Sequence, residues 1–133
     1  MLTIHHICIQ TDVYSESRNF YINVLQFKLL NETPNFHSRQ YNSWLNLGTF
    51  MIELQTNKNG ELLSEFNKNS KGIVHFCLYT EDFDMEYNRI KETANQKFRQ
   101  KDGSDIYSVN GGRLFKLVAP EGTIIEIRDM NDI

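Results

Sequence analysis

The chain has 133 residues, of which 40% are hydrophobic and 23% charged, a size and balance typical of one compact soluble domain. Its 14 basic and 17 acidic residues leave a net charge of -3 without a dense Lys/Arg stripe, which argues against nucleic acid or an anionic membrane surface as a partner. No apolar run approaches the roughly 18 residues that a membrane span requires, and the N-terminus is too polar for a signal peptide. We therefore expect a single cytoplasmic domain over residues 1–133.

A segment near the N-terminus recurs in the second half of the chain. Residues 4–12 (IHHICIQTD) align with residues 73–81 (IVHFCLYTE), with identical Ile, His, Cys and Thr at matching positions. Each copy is rich in β-forming residues, ends at an acidic residue suited to begin a helix, and precedes a stretch with helical periodicity. The repeat predicts two copies of one structural unit.

The same order of elements follows both copies of the segment. Apolar residues at helical spacing come first, namely Phe20, Tyr21, Val24 and Leu25 in one half and Phe83, Tyr87, Ile90 and Ala94 in the other. Three β-type runs follow in each half, at 27–32, 42–47 and 50–55 and at 106–109, 113–118 and 123–128. We predict a β-α-β-β-β module at about 1–56, a polar linker at about 57–71 and a second module at about 72–133.

Strand alternation predicts which side chains share a face of each sheet. His6 and Cys8 lie on one side of the first segment, and His75 and Cys77 lie on one side of the second. The residues that alternate with them are mostly apolar, so that other side should pack against the helix. The two histidines are thus expected on the opposite, concave face.

A glutamate interrupts the apolar run of the last predicted strand in each half. Glu53 and Glu126 each stand between two aliphatic residues, where an unpaired carboxylate would cost several kcal/mol. Taken singly, such a glutamate is more often salt-bridged, and a strand histidine is more often a hydrogen-bonded structural residue. Because both halves carry a His/Glu pair at matching positions, we favour a shared divalent cation, for which zinc, nickel, cobalt, iron and manganese suit these ligand types.

The remaining histidines and cysteines are expected to be structural. His5 should lie on the helix-facing side as a packing or surface residue, and His37 should occupy a solvent-exposed turn. Cys8 and Cys77 are expected to be small buried thiols rather than a disulfide, because the chain has no export signal.

Four stretches together resemble the vicinal oxygen chelate superfamily, which includes glyoxalase I, methylmalonyl-CoA epimerase, dioxygenases and bleomycin resistance proteins. They are residues 4–9 (IHHICI), 20–27 (FYINVLQF), 72–76 (GIVHF) and 120–126 (PEGTIIE). The resemblance covers nearly the whole chain. Two departures concern turns: Gln26 replaces a glycine usual after the first helix, and Ala119 replaces an aspartate usual before the Pro-x-Gly turn.

The resemblance implies an α+β fold of two tandem βαβββ modules that form an open, curled mixed sheet. It also implies a divalent metal ion at the base of the cleft, bound by His6, Glu53, His75 and Glu126. Relatives commonly form homodimers, and some build each cleft from modules of two chains. A homodimer is therefore expected.

A ligand set of two histidines and two glutamates in one short chain is most similar to glyoxalase I and the epimerase. Such a metal stabilises the enediolate formed when a carbon next to a carbonyl loses its proton. Glu126 or Glu53 would move that proton. We therefore expect a metal-dependent lyase or isomerase acting on a small-molecule substrate, lactoylglutathione lyase-like or acyl-CoA epimerase-like. The alternatives are a non-catalytic small-molecule or antibiotic-binding resistance protein of the same fold and a thiol transferase.

Overall fold

A computed structural model describes residues 1–93 and 96–130 of the chain. The chain divides into two compact units, Met1–Glu65 and Phe66–Ile133. The elements of the first unit are β1 Ile7–Thr11, α1 Tyr14–Asn19 with a π-helical continuation Phe20–Val24, β2 Lys28–Phe36, β3 Arg39–Leu47 and β4 Phe50–Thr56. Those of the second are β5 Phe76–Tyr79, α2 Phe83–Glu92, β6 Tyr107–Val109, β7 Gly112–Val118 and β8 Ile124–Arg128.

Each unit contains one four-stranded mixed sheet. The strand orders are β1-β4-β3-β2 and β5-β8-β7-β6, so both sheets are open and have the same topology. The first strand of each unit pairs in parallel with the last, and the other neighbours are antiparallel. The predicted α+β fold of two tandem βαβββ modules is confirmed.

The first helix packs on the apolar face of the first sheet, as strand alternation predicts. The four predicted helix-face residues are all buried, as are Ile52 and Leu54 on β4. The hydroxyls of Thr11 and Ser17 lie 2.7 Å apart and join β1 to α1. On β1, Ile9 is buried while Cys8 is exposed, so the face that bears Cys8 is the one away from the helix.

The second helix packs on its sheet through aromatic contacts. The rings of Phe83 and Tyr87 lie 5.4 and 5.5 Å from that of Phe115 on β7. The acidic residue that caps the start of the helix is Asp82 and not Glu81. The Asp82 carboxylate accepts a hydrogen bond from the Met85 backbone N–H at 3.3 Å. Ala94, predicted on the same helical face, lies outside the described residues.

Two connections differ from the sequence-based expectation. Residues 33–41, which separate the predicted β-type runs 27–32 and 42–47, extend β2 and β3 into a longer hairpin that turns at His37 and Ser38. Both turn residues have positive φ, and His37 is exposed as predicted. After the first helix, Gln26 takes the left-handed conformation itself, with φ of 62°, so the turn forms without its usual glycine.

The helices within the described residues are too short or too polar to span a membrane.

A hydroxyl cluster links the first helix to β2 and β3. The Tyr14 hydroxyl donates to Glu32 Oε2 at 2.5 Å and is hydrogen-bonded to the buried Ser43 hydroxyl, while Arg18 Nε lies 2.9 Å from Glu32 Oε2. Burial, and then the hydrogen bond to Glu32, raises the pKa of Tyr14 to about 12. The cluster thus fixes the start of the helix against the sheet.

We predict that Tyr14→Phe lowers the free energy of unfolding at neutral pH by about 1–2 kcal/mol, because Ser43 loses a partner inside the protein. The difference from wild type should shrink as pH rises from 10 towards 12. The unfolded tyrosine ionises near 10, whereas the folded one keeps its proton until about 12, so the stabilisation is present below pH 10 and is lost above it. Urea unfolding at several pH values measures both effects.

Tyr41→Phe is the matched control, because Tyr41 stacks on Tyr14 with ring centroids 4.8 Å apart and the variant keeps that ring. Equal stabilities of wild type and Tyr14→Phe at neutral pH would contradict the prediction.

Candidate functional site

The first predicted His/Glu pair meets at the parallel contact of β1 and β4. Cys8 is in register with Glu53, and Glu53 is in register with Trp44 on β3, so the three side chains share the face away from the helix. His6 immediately precedes β1, and its Nε2 lies 3.5 Å from Glu53 Oε2. The Glu53 side chain is 17% exposed. The first unit therefore presents an imidazole and a carboxylate side by side.

His5 belongs to this group, contrary to the expectation that it faces the helix. Its Nδ1 lies 2.8 Å from His6 Nδ1, and the rings of both histidines stand edge-on to Trp44, at 6.1 and 4.8 Å respectively. Strand alternation does not apply to His5 because β1 begins only at Ile7. His5 remains an exposed residue.

The second His/Glu pair has the same arrangement in its own unit. Cys77 is in register with Glu126 at the parallel contact of β5 and β8. His75 immediately precedes β5, and its Nε2 lies 3.4 Å from Glu126 Oε2. The Cys77 thiol donates to Glu126 Oε1 at 3.5 Å. Glu126 is the more enclosed of the two glutamates, with a side chain 8% exposed.

Two cations next to Glu126 were not identified from the sequence. Lys116 Nζ lies 3.5 Å from Glu126 Oε2, and Arg128 lies 4.0 Å from Oε1. Strand alternation could have found Arg128, which follows Glu126 by two residues on β8 and so shares its face. Lys116 depends on the β7–β8 register, which places it directly opposite Glu126.

Both cysteines are free and exposed, so the expectation of buried thiols is wrong. They lie on the sheet face that the helices do not cover. The sulfur atoms are nevertheless partly buried. This burial is the main cause that raises the pKa of Cys8 to about 11 and that of Cys77 to about 12, and the negative charge of the adjacent glutamate is the second cause. Both groups therefore remain protonated at neutral pH, and Cys77 is a hydrogen-bond donor to its carboxylate.

Each unit thus brings together one histidine and one glutamate of the four predicted ligands. Within residues 1–93 and 96–130, no group of three or more His, Cys, Asp and Glu side chains has the arrangement of a metal site. The shared site of His6, Glu53, His75 and Glu126 stays a prediction.

A comparison against protein families identifies the superfamily that the two-module fold belongs to. The model of the Glyoxalase/Bleomycin resistance protein/Dioxygenase superfamily matches residues 3–103, which is most of the chain. The chain belongs to this superfamily. This superfamily contains both enzymes and non-catalytic binding proteins.

Several solved structures share the fold at low sequence identity. A glyoxylase/bleomycin resistance protein/dioxygenase domain from Frankia sp. EAN1pec is 16% identical, with a TM-score of 0.81 over 99% of this chain and 94% of that one. The fosfomycin resistance protein FosX from Listeria monocytogenes is also 16% identical, with a TM-score of 0.72 over 96% and 92%. TnmS3, an antibiotic-binding protein from Streptomyces sp. CB03234, is 16% identical, with a TM-score of 0.67 over 97% and 96%. No curated protein matches the chain.

Proposed function

We propose that this superfamily member is a metal-dependent isomerase or lyase of glyoxalase I type, which moves a proton at a carbon next to a carbonyl group. The observation that carries the proposal is the duplicated contact of a histidine Nε2 with a glutamate, at 3.5 Å in one unit and 3.4 Å in the other. Two imidazoles and two carboxylates are a suitable donor set for zinc, nickel, cobalt, manganese or iron. We assign all four residues as ligands of one divalent cation.

A bound divalent cation supplies Lewis acidity towards two neighbouring substrate oxygens, which makes the adjacent C–H bond more acidic. The chain must then provide a base for that proton. Glu53 is better placed than Glu126 for this role. Both oxygens of Glu126 have partners, Cys77 and Arg128 at Oε1 and His75 and Lys116 at Oε2.

Glu53 is less enclosed, and its partners are His6 and the Cys8 thiol; among the described residues no lysine or arginine pairs with it. We therefore propose that Glu53 takes and returns the proton, while Glu126 is mainly a ligand.

We predict that Glu53→Gln lowers turnover by roughly 10²–10⁴-fold, because an amide cannot accept the proton, while its oxygen can still contact the metal. Glu126→Gln should instead lower the metal content of the purified protein. Metal analysis is combined with solvent-deuterium exchange assays on a methylglyoxal–thiol hemithioacetal and on methylmalonyl-CoA.

These two isosteric variants serve as controls for each other. Absence of metal from wild-type protein, together with absence of exchange on both substrates, would refute the proposed function. Full activity of Glu53→Gln would refute only the choice of base.

His5 has a supporting role in the proposed site. A hydrogen on His6 Nδ1, donated to His5 Nδ1, leaves the Nε2 lone pair free to bind the metal. The second unit differs, because Val74 precedes His75 and the buried His75 Nδ1 has no hydrogen-bond partner among the described residues. His5 is thus expected to orient His6.

We predict that His5→Phe weakens metal binding by about 10- to 100-fold, because the ring against Trp44 is kept but the hydrogen bond is lost. Competition with a chelating dye measures the affinity without an activity assay. His37→Asn, in the exposed turn after β2, is the control and should bind metal as wild type does. Unchanged affinity in His5→Phe would show that His6 needs no such support.

A second candidate function is sequestration of a small molecule without catalysis. It is favoured by the two cations at Glu126, which more than neutralise that carboxylate without a metal. The antibiotic-binding protein TnmS3 shares the fold. Ligand binding that survives both His75→Ala and Glu126→Gln would favour this function over the metal enzyme.

We also propose a cytoplasmic homodimer. Exposed apolar residues before β1 and β5, namely Ile4, Ile73 and Val74, support an association that covers them. Sedimentation of the full chain should therefore give the mass of a dimer, and a monomer at micromolar concentration would contradict this assignment.

A further inference from the structure

We propose that Lys116 and Arg128 bind an oxyanion on the substrate, such as a carboxylate, phosphate or phosphonate group. The inference rests on the proposed function, because it specifies the substrate class of the same site. It depends only on residues of the second unit, whose mutual positions are given by the β7–β8 register.

The charges around Glu126 do not cancel. Lys116 and Arg128 carry two positive charges, and Glu126 carries one negative charge, so the three groups have a net charge of one positive. The two basic side chains are only 20% and 23% exposed. Charges in such partly enclosed positions interact more strongly than at the surface, so an unbalanced cation there favours binding of an anion.

The contacts with Glu126 also leave hydrogen-bonding capacity unused. The distances of 3.5 Å for Lys116 and 4.0 Å for Arg128 exceed those of charge-assisted hydrogen bonds, which are about 2.7–2.9 Å. Arg128 Nε is buried and has no hydrogen-bond partner among the described residues. A buried, unsatisfied donor is costly, and an oxyanion near the guanidinium would satisfy it.

The first unit has no cations at the equivalent positions. Trp44 stands opposite Glu53 where Lys116 stands opposite Glu126. Gln55 follows Glu53 by two residues where Arg128 follows Glu126. Since the modules share one topology, the fold itself does not require a basic pair beside the glutamate. The pair therefore points to a ligand that is specific to the second unit.

A lysine and an arginine side by side suit a small oxyanion group. Arginine offers parallel N–H donors that match the oxygens of a carboxylate or phosphoryl group, and lysine adds a compact positive charge. A carboxylate or phosphoryl group would be held close to Glu126, and so close to the proposed metal ligands. The substrate class is then a small carbonyl compound or a derivative of one that carries an acidic group.

The test is calorimetric titration of the full chain with inorganic phosphate and with acetate, at constant ionic strength, before and after removal of metal by a chelator. Wild-type protein should bind at least one of these probes in the chelated state. Lys116→Met and Arg128→Met should each weaken that binding by about tenfold or more, and Lys116→Arg should largely retain it. Lys28→Met, which removes the same charge at an exposed position of β2, should bind as wild type does.

Glu126→Gln distinguishes a binding role from a structural one. If the basic pair serves only to neutralise Glu126, wild-type protein should not bind phosphate, and only the variant, which leaves both cations unpaired, should bind it. If the pair binds oxyanions, the variant should bind phosphate more tightly, because the competing carboxylate is gone.

Equal binding by wild type, Lys116→Met and Arg128→Met, or no binding of either probe, would overturn the inference. Anion binding by a protein that contains no metal and exchanges no proton on either assay substrate would support the inference while refuting the proposed metal enzyme.

Discussion

The parallel contact between the first and last strands of each module is the constraint on which the rest of the site depends. It places Cys8 beside Glu53 and Cys77 beside Glu126, and it brings the preceding histidine to within 3.5 Å of each carboxylate. A parallel pair requires a crossover connection, which the helix and the two intervening strands provide. The helix covers one face of the sheet and leaves the other for polar side chains.

Duplication has preserved this geometry while the surroundings of the two carboxylates have diverged. Glu53 lies opposite Trp44 and pairs with His6, and its carboxylate stays partly exposed. Glu126 is enclosed by a thiol, an imidazole and two cations. The two His/Glu pairs thus have different surroundings, which is why we propose proton transfer for the first and charge binding for the second.

The surroundings of Glu126 bear on both proposed functions. A carboxylate next to two cations needs no metal to offset its charge, which fits a binding protein, yet the same cations can bind an acidic substrate in an enzyme. The superfamily contains proteins of both kinds, and the low identities to solved structures establish the fold alone. The discriminating property is the metal content of the protein.

Much of the fold could be predicted from the sequence because its signals are local. The repeat of residues 4–12 at 73–81 and the periods of the following runs predict two βαβββ modules. Alternation also separates Glu53 and Glu126 from the aliphatic residues on either side of them. Local patterns gave the wrong result at two places. His5 lies before the start of β1, so strand alternation does not apply to it, and residues 33–41 pair into a hairpin although they are mostly polar.

The sequence by itself determined the order of elements, the duplication and the chemical types available on each strand. Tertiary structure alone decided which of these groups meet. Lys116 and Glu126 are ten positions apart on different strands, and only the β7–β8 register makes them opposite neighbours. A shift of that register by one residue would turn Lys116 to the apolar face, so the charge next to the second carboxylate is a property of strand pairing, not of composition.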